Sequence, residues 1–415
     1  MRPAVIFVAG SDPLPGLGGH SSYVRAHGRA AERAGFDPHI VCAAGRDEVV
    51  HTGFGTLHRI GSYARLERIE AVRIRQHQLI WRAPLLRRAV ERLILARPGT
   101  RLIHSVGCYG YVGLAAHRAL RRRGVDTVPV VSAYDTLVRE GRAKLRGARS
   151  TVSQMSFAIE LAWNTLLVAR CERRGLKDAR LVLINYESVR RILAEGYGIT
   201  DRVRKIPYSS ELAFLDGALR SPAPATLARL APAGAPLVVA VSRQDPRKGL
   251  DVLLRALARL RRAGVPFRAC LLGGGPLLGA HRRLATRLGL DGAVAIEGFV
   301  PDAYCYLQHA AVFVLPSIEE GSGSLSLLEA LQAGSAVVAS NVDGIPEDVR
   351  DGDSALLVTP GDPGELAGAL GRVLRDPEMR QRLRGRARAV FETRFSADVF
   401  SRALGDVYRE LSVTP

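Results

Sequence analysis

Apolar residues in this chain gather into short unbroken runs that end at glycine, proline or a polar turn, and the stretches between them carry apolar positions at helical spacing. Such runs mark strands buried on both faces of a parallel sheet, and their alternation with helices predicts repeated βα units. In the second half the runs fall at 235–241, 269–272, 294–300 and 310–316, and most lead into Gly-rich turns. Four strands of this kind predict an open parallel sheet whose ligand crevice lies beyond the carboxyl ends. At 415 residues the chain exceeds the usual size of one domain, and 47% hydrophobic residues suffice for two cores. A Pro/Ala-rich stretch, SPAPATLARLAPAGAP (221–236), sets the boundary between 208 and 236.

Residues 319–349 read EEGSGSLSLLEALQAGSAVVASNVDGIPEDV and follow the strand AAVFVLPS (310–317). Leu325, Leu327, Leu328 and Leu331 recur at roughly helical spacing, so the loop joins a strand's carboxyl end to a helix. The backbone N–H groups of Gly323, Ser324, Leu325 and Ser326 then lie at or near a helix N-terminus, where intrahelical acceptors are missing and anions are attracted. Gly321 and Gly323 let the backbone approach a ligand with no Cβ in the way. Glu320 and Glu329 are placed to accept hydrogen bonds from hydroxyls rather than to bind the anion. The implied ligand is anionic and rich in hydroxyls, although an ordinary acidic strand-to-helix turn accounts for the loop alone equally well.

A second segment, APLVVAVSRQDPRKGLDVLLRAL (235–257), reads as strand, polar turn and helix, with Arg243 at the strand's end and Lys248 just before Gly249. The chain has 55 Arg but only four Lys, so a lysine at this rim stands out from the composition.

In order and spacing these segments resemble glycosyltransferase family 4, retaining enzymes of the two-domain GT-B fold. SRQDPRKGLD is similar to the family's Arg and Lys-Gly segment, GGGPL to its glycine turn, EGFVPD to its nucleotide-base loop, and EGSGSLSLLEAL to its paired-glutamate motif. SNVDGIPEDVRDGDSALLVTPGD is similar to its closing loop and strand, and residues 5–43, with Gly18 and Gly19, to its first strand, Gly-Gly loop and helix. The resemblance implies an α/β fold of two Rossmann-like domains facing a cleft. It implies an acceptor domain at 1–208, a hinge and linker at 209–236, a nucleotide-sugar domain at 237–395 and a helix at 396–415 returning to the first domain. The return is expected to begin with the helices from Pro377.

Carried over by residue, the resemblance implies that Arg243 and Lys248 clamp a donor diphosphate, aided by amides of Gly323, Ser324 and Leu325. Glu320 would serve as the catalytic contact to sugar hydroxyls, Glu329 would hold the ribose, and backbone at Phe299 and Val300 the base. The donor is a nucleoside-diphosphate sugar acting as substrate, with no cofactor and no metal. Asp351 and Asp353 match a metal motif only literally and read as turn residues. Two departures stand out: Glu320 and Glu329 are one position further apart than the family's usual pair, leaving Glu319 as a rival for the first role. Tyr134, followed by Asp135, occupies the place of a family histidine. Tyr134 and Asp135 are candidates for sugar or acceptor contacts, the alternative being that the Tyr packs and the Asp caps a turn, whereas His104 reads as a satisfied, partly buried histidine.

Charge is unevenly shared. Residues 1–208 carry 35 Lys+Arg against 17 Asp+Glu, while 209–415 carry 24 against 23. Eleven arginines lie between 59 and 101, and PLLRRAVERLIL (84–95) reads as a basic amphipathic helix, which fits an anionic membrane surface or an anionic soluble acceptor. No zinc-finger spacing or ribonucleoprotein motif supports nucleic acid as a partner. Five scattered cysteines predict buried thiols in a reducing compartment, hence a cytoplasmic protein, peripheral on the inner face of the membrane if the basic surface docks there. The opening apolar run is too short for a signal peptide, and SFAIELAWNTLLVA (156–169) is short for a span and broken by Glu160. The leading expectation is sugar transfer to an alcohol, lipid-linked or anionic, with retention. An epimerase or phosphorylase on the same fold, and a non-catalytic scaffold, stand as alternatives.

Overall fold

The structure is a computed structural model and describes residues 2–14, 19–61, 77–134, 136–146, 151–215, 224–230 and 232–413. Met1–Leu145, Arg149–Phe214 and Ala397–Pro415 form one compact unit, and Leu215–Ser396, with Arg146–Ala148, forms the other.

The first unit is built on eight strands: β1 (Ala4–Val8), β2 (Asp37–Ala44), β3 (Glu48–Thr52), β4 (Gly55–Gly61), β5 (Leu102–Val106), β6 (Val128–Ser132), β7 (Leu181–Ile184) and β8 (Val203–Lys205). Their order is β3-β4-β2-β1-β5-β6-β7-β8, parallel throughout except for the edge hairpin of β3 and β4. The continuous apolar runs AVIFV and LVLI are buried at every residue, as strands covered on both faces require, whereas edge strand β3 alternates between half-buried and exposed positions.

The second unit has six strands: β9 (Leu237–Val241), β10 (Arg268–Leu272), β11 (Val294–Gly298), β12 (Val312–Leu315), β13 (Ala336–Ser340) and β14 (Leu356–Val358). They are all parallel, in the order β11-β10-β9-β12-β13-β14. The helix Leu250–Arg262 buries Leu250, Leu253, Leu254 and Leu257 against this sheet, and its last-turn arginines complement the helix dipole. The described residues of the Pro/Ala-rich stretch are docked at two points: Arg268 on β10 donates to the Ala235 carbonyl at 2.9 Å and to the Leu227 carbonyl at 3.1 Å.

At the C-terminus the sequence expectation needs one correction. The helix Pro377–Val390 stays with the second unit, because Leu383 belongs to its core and Arg384 donates to the Gly334 carbonyl at 2.9 Å. Only the helix Ala397–Val413 is part of the first unit, where Phe400, Leu404 and Tyr408 are fully buried and Asp398 pairs with Arg33 at 2.9 Å.

Candidate active site

The order of the second sheet reverses between β9 and β12, so the loops leaving these neighbours run apart and open a crevice at their carboxyl ends. After β9, Asp245 accepts the Arg247 N–H at 3.0 Å and caps the short turn Pro246–Lys248, which ends at Gly249 with φ 60°. A Cβ on Gly249 would collide with the Pro316 carbonyl oxygen, so glycine is what allows this turn to lie against the loop after β12. The two are stitched by the N–H groups of Ile318 and Glu319, which donate to the Arg247 carbonyl at 2.7 and 3.2 Å.

That stitching brings Lys248 onto Glu320, with Nζ donating to Oε2 at 2.5 Å and side chains only 16% and 2% exposed. The buried Ser317 hydroxyl donates to Oε1 at 2.5 Å, so both oxygens of the carboxylate are engaged. Between the rival glutamates, Glu320 is therefore the one held inside the crevice by the lysine. Arg243, 61% exposed, stands at the rim with Nε 3.9 Å from Asp245.

Asp343 is a residue that the sequence reading missed. Its backbone sits at φ 50°, rare for a residue with a side chain, and its Oδ2 accepts the N–H groups of Glu320 and Gly321 at 2.7 and 2.8 Å. The next residue, Gly344, donates to the Ser322 carbonyl at 2.9 Å, which pins the loop at one more atom. The available signal was the Asp-Gly pair in VDGIPED, a turn signature.

The helix Leu325–Ala333 begins where the spacing predicts. Ser324 at its N-cap is extended and makes no side-chain cap, because its hydroxyl lies 2.9 Å from that of Ser326. The hydroxyl is thus not the acceptor that an N-cap side chain usually provides to the first turn, and the Leu327 N–H donates instead to the Ser324 carbonyl at 3.1 Å. Glu329, one turn along, is half-buried. Phe299, 52% exposed, and Val300 follow Gly298 at the end of β11. Gly273 donates to the Gly298 carbonyl at 2.5 Å, and Cβ atoms on Gly273 or Gly275 would collide with the Ser242 or Gln244 backbone. The glycine turn therefore packs tightly between the β9 and β11 loops.

In the first unit, Gly18 and Asp135 lie outside the described residues, as do Arg65, Arg68, Arg73 and Arg75 of the basic stretch. Gly19 is exposed and opens the helix Gly19–Arg33. Tyr134 packs edge-on against Tyr23 with ring centroids 3.9 Å apart, and its buried hydroxyl has no hydrogen-bond partner. Beneath lies His104, fully buried, with Nδ1 2.5 Å from the Tyr408 hydroxyl and Nε2 2.7 Å from the Ser132 hydroxyl. Burial pushes its pKa down to about 3, and His27, also fully buried, is lowered well below its usual value chiefly by burial. Both rings are neutral at ordinary pH. Not all the basic stretch faces solvent: Arg59 pairs with Asp12 at 2.8 Å and Glu48 at 2.5 Å, and Arg82 is buried, which lowers its pKa to about 10.

The model for glycosyl transferases group 1 matches residues 235–376, and that for the glycosyl transferase 4-like domain matches residues 18–209. A GDP-mannose-dependent alpha-(1-6)-phosphatidylinositol monomannoside mannosyltransferase of Mycolicibacterium smegmatis is 30% identical over 337 residues, covering 77% of this chain and 87% of its own. A D-inositol 3-phosphate glycosyltransferase of Nocardiopsis dassonvillei is 31% identical over 296 residues, 68% of this chain and 64% of its own. In fold, sucrose-phosphate synthase from Thermosynechococcus elongatus matches with a TM-score of 0.71 at 22% identity over 99% of both chains. The chain is thus a glycosyltransferase of the GT-B fold. It belongs to glycosyltransferase family 4.

Proposed function

We propose that this enzyme moves a hexose from a nucleoside-diphosphate sugar to an alcohol on an anionic or lipid-linked acceptor, with retention of configuration and without a metal. The observation that carries the donor half is Lys248 held on Glu320 beside the N-terminus of the helix Leu325–Ala333, at the reversal of the second sheet. As the bond to the sugar breaks, negative charge develops on the departing diphosphate. Lys248, Arg243 and the amides of Gly323, Ser324 and Leu325 are cationic or polarised donors suited to stabilise it. Glu320 then accepts from the sugar's hydroxyls, Glu329 from the ribose, and the backbone at Phe299 and Val300 meets the base. Retention follows the family's pattern, in which the acceptor enters on the face the diphosphate leaves and passes its proton to a phosphate oxygen.

For the acceptor, support comes from the excess of arginine in residues 1–208 and from relatives whose names specify a phosphatidylinositol mannoside and an inositol phosphate. Gly19 and Tyr134 are the described candidates for contact with it. A cytoplasmic setting, where nucleotide sugars are made, suits the five free cysteines. The test is transfer from GDP-mannose and UDP-glucose to phosphatidylinositol and to inositol phosphate, with the anomeric configuration of the product read by NMR. An α-linked product from an α-linked donor, lost in Lys248→Ala and Glu320→Gln, is expected. A β-linked product would overturn retention, and full activity in both variants would overturn the site.

A further inference from the structure

The apolar segment 156–169 is too short to span a bilayer, and among the described residues no helix is long and apolar enough to do so. In the structure it lies within one continuous rod, the helix Thr151–Trp163, a π-helical turn Asn164–Val168 and the helix Ala169–Lys177. One side of the rod is packed away. Asn164, Val168 and Leu176 are buried there, and a Cβ on Gly175 would collide with the backbone of Gly110 and Tyr111.

The other side is apolar and open. Met155 is 68% exposed, Ile159 60%, Leu166 60% and Leu167 37%, with Ala158 and Ala162 exposed between them. Positions 155, 159, 162 and 166 have the spacing by which a helix normally buries a face in the core. Four of the ten large apolar side chains exposed among the described residues fall in these 13 positions, which makes them a patch rather than scatter. By contrast, the basic helix His77–Leu95 turns Leu86, Val90 and Ile94 into the core of its own unit, and its two exposed leucines among the described side chains, Leu85 at 37% and Leu95 at 39%, stand ten positions apart rather than as one patch.

What covers the patch is decided by charge. Residues 137–177 hold nine Lys+Arg and three Asp+Glu, a net of +6, and Arg142, Arg170, Arg173, Arg174 and Lys177 are exposed. A second copy of the chain would set this surface against an identical one, whereas an anionic lipid headgroup layer complements it. We propose that this rod is a membrane-docking element that lies in the plane of an anionic bilayer, with Met155, Ile159, Leu166 and Leu167 at the acyl boundary and the arginines among the headgroups. The inference deepens the proposed membrane acceptor by naming the surface that reaches it. Vesicle binding is read without donor or acceptor, so its failure is distinct from failure of the transferase reading.

The experiment is co-sedimentation of the full chain with vesicles of phosphatidylglycerol and phosphatidylcholine in equal parts, and with phosphatidylcholine alone. Binding to the anionic vesicles is expected to weaken roughly tenfold in a variant carrying Ile159→Glu and Leu166→Glu, with its circular dichroism unchanged. Ile159→Trp, a milder change, is expected to shift its emission to the blue only with the anionic vesicles. Three results would overturn the proposal: unchanged vesicle binding in the double variant, loss of binding only when Arg88 and Arg92 are replaced, or a wild-type dimer in light scattering that the double variant dissociates.

Discussion

Beyond β9 and β12 the second domain keeps a lysine on a glutamate beside a helix N-terminus, whereas in the first domain His104, in the middle of β5, is buried between the hydroxyls of Tyr408 and of Ser132 at the end of β6. Both sites sit among parallel strands, and the difference lies in the side chains that the strands and their loops bring together. Around Glu320 short loops hold a lysine on the carboxylate; around His104 the partners are hydroxyls and the imidazole is packed among aromatic rings, with Tyr23 stacked 3.9 Å from His27. The contrast separates a charged pair suited to the proposed anionic leaving group from polarity that organises a core.

Replacing charge at the second-domain site should have the largest effect. Lys248→Ala is expected to lower kcat/KM by about 10²–10³-fold, the range seen when one preorganised donor is removed from developing charge. The same variant leaves the Glu320 carboxylate buried with Ser317 as its remaining side-chain donor, so it should also unfold at lower temperature. Steady-state kinetics and calorimetry on one preparation check both outcomes.

In the first domain the matching lever is acid. Because burial holds His104 at about 3 against the usual 6.5, the unfolded chain binds a proton that the folded chain refuses. The stabilisation from the neutral ring is therefore complete above about pH 6.5 and is lost as pH falls toward 3, reaching about 3 kcal/mol near pH 4. Denaturant unfolding at a series of pH values reads the slope, and His104→Gln, which can still bond both hydroxyls, should flatten it by about 1.4 kcal/mol per pH unit. His27 adds to the slope in the same direction.

Gly249→Ala tests the stitching of the two second-domain loops. Its positive φ and the collision with the Pro316 carbonyl should cost about 2 kcal/mol and lower activity by separating Lys248 from Glu320. The smallest effect is expected at Asp343. Asp343→Ala removes the acceptor for two loop N–H groups and should cost roughly tenfold in kcat, while Asp343→Asn keeps an oxygen acceptor, tolerates the backbone and should recover most of it. If Asn and Ala behave alike, the Asp343 side chain does not position the loop through those hydrogen bonds.

The sequence made the backbone of the second domain readable because its strands are unbroken apolar runs and its helix Leu325–Ala333 has a regular leucine spacing after a glycine. The two cations and both glutamates were visible as residue types in the right turns. That Lys248 would sit on Glu320 was not, since the pair spans 72 residues and depends on Gly249 lying against Pro316. Asp343 was hidden for a similar reason, because an Asp in a turn ordinarily serves its own turn and here it serves a loop more than 20 residues earlier. His104 was read as a satisfied, partly buried histidine, but its partner Tyr408 comes from a helix 304 residues away, which no local pattern announces. The segment 156–169 was legible only as too short and too broken for a span; that Met155, Ile159 and Leu166 share an open face was not, because an apolar spacing identifies a face without saying what covers it.

The most direct test of the central claim is titration calorimetry of the intact protein and of Lys248→Ala with GDP-mannose and UDP-glucose in the absence of acceptor and of added metal. The account predicts that one nucleotide class binds the wild type and that the variant binds it roughly 100-fold more weakly, a loss of about 2.7 kcal/mol. Equal binding by the two proteins would contradict the assignment of Lys248 and Glu320 to the donor site.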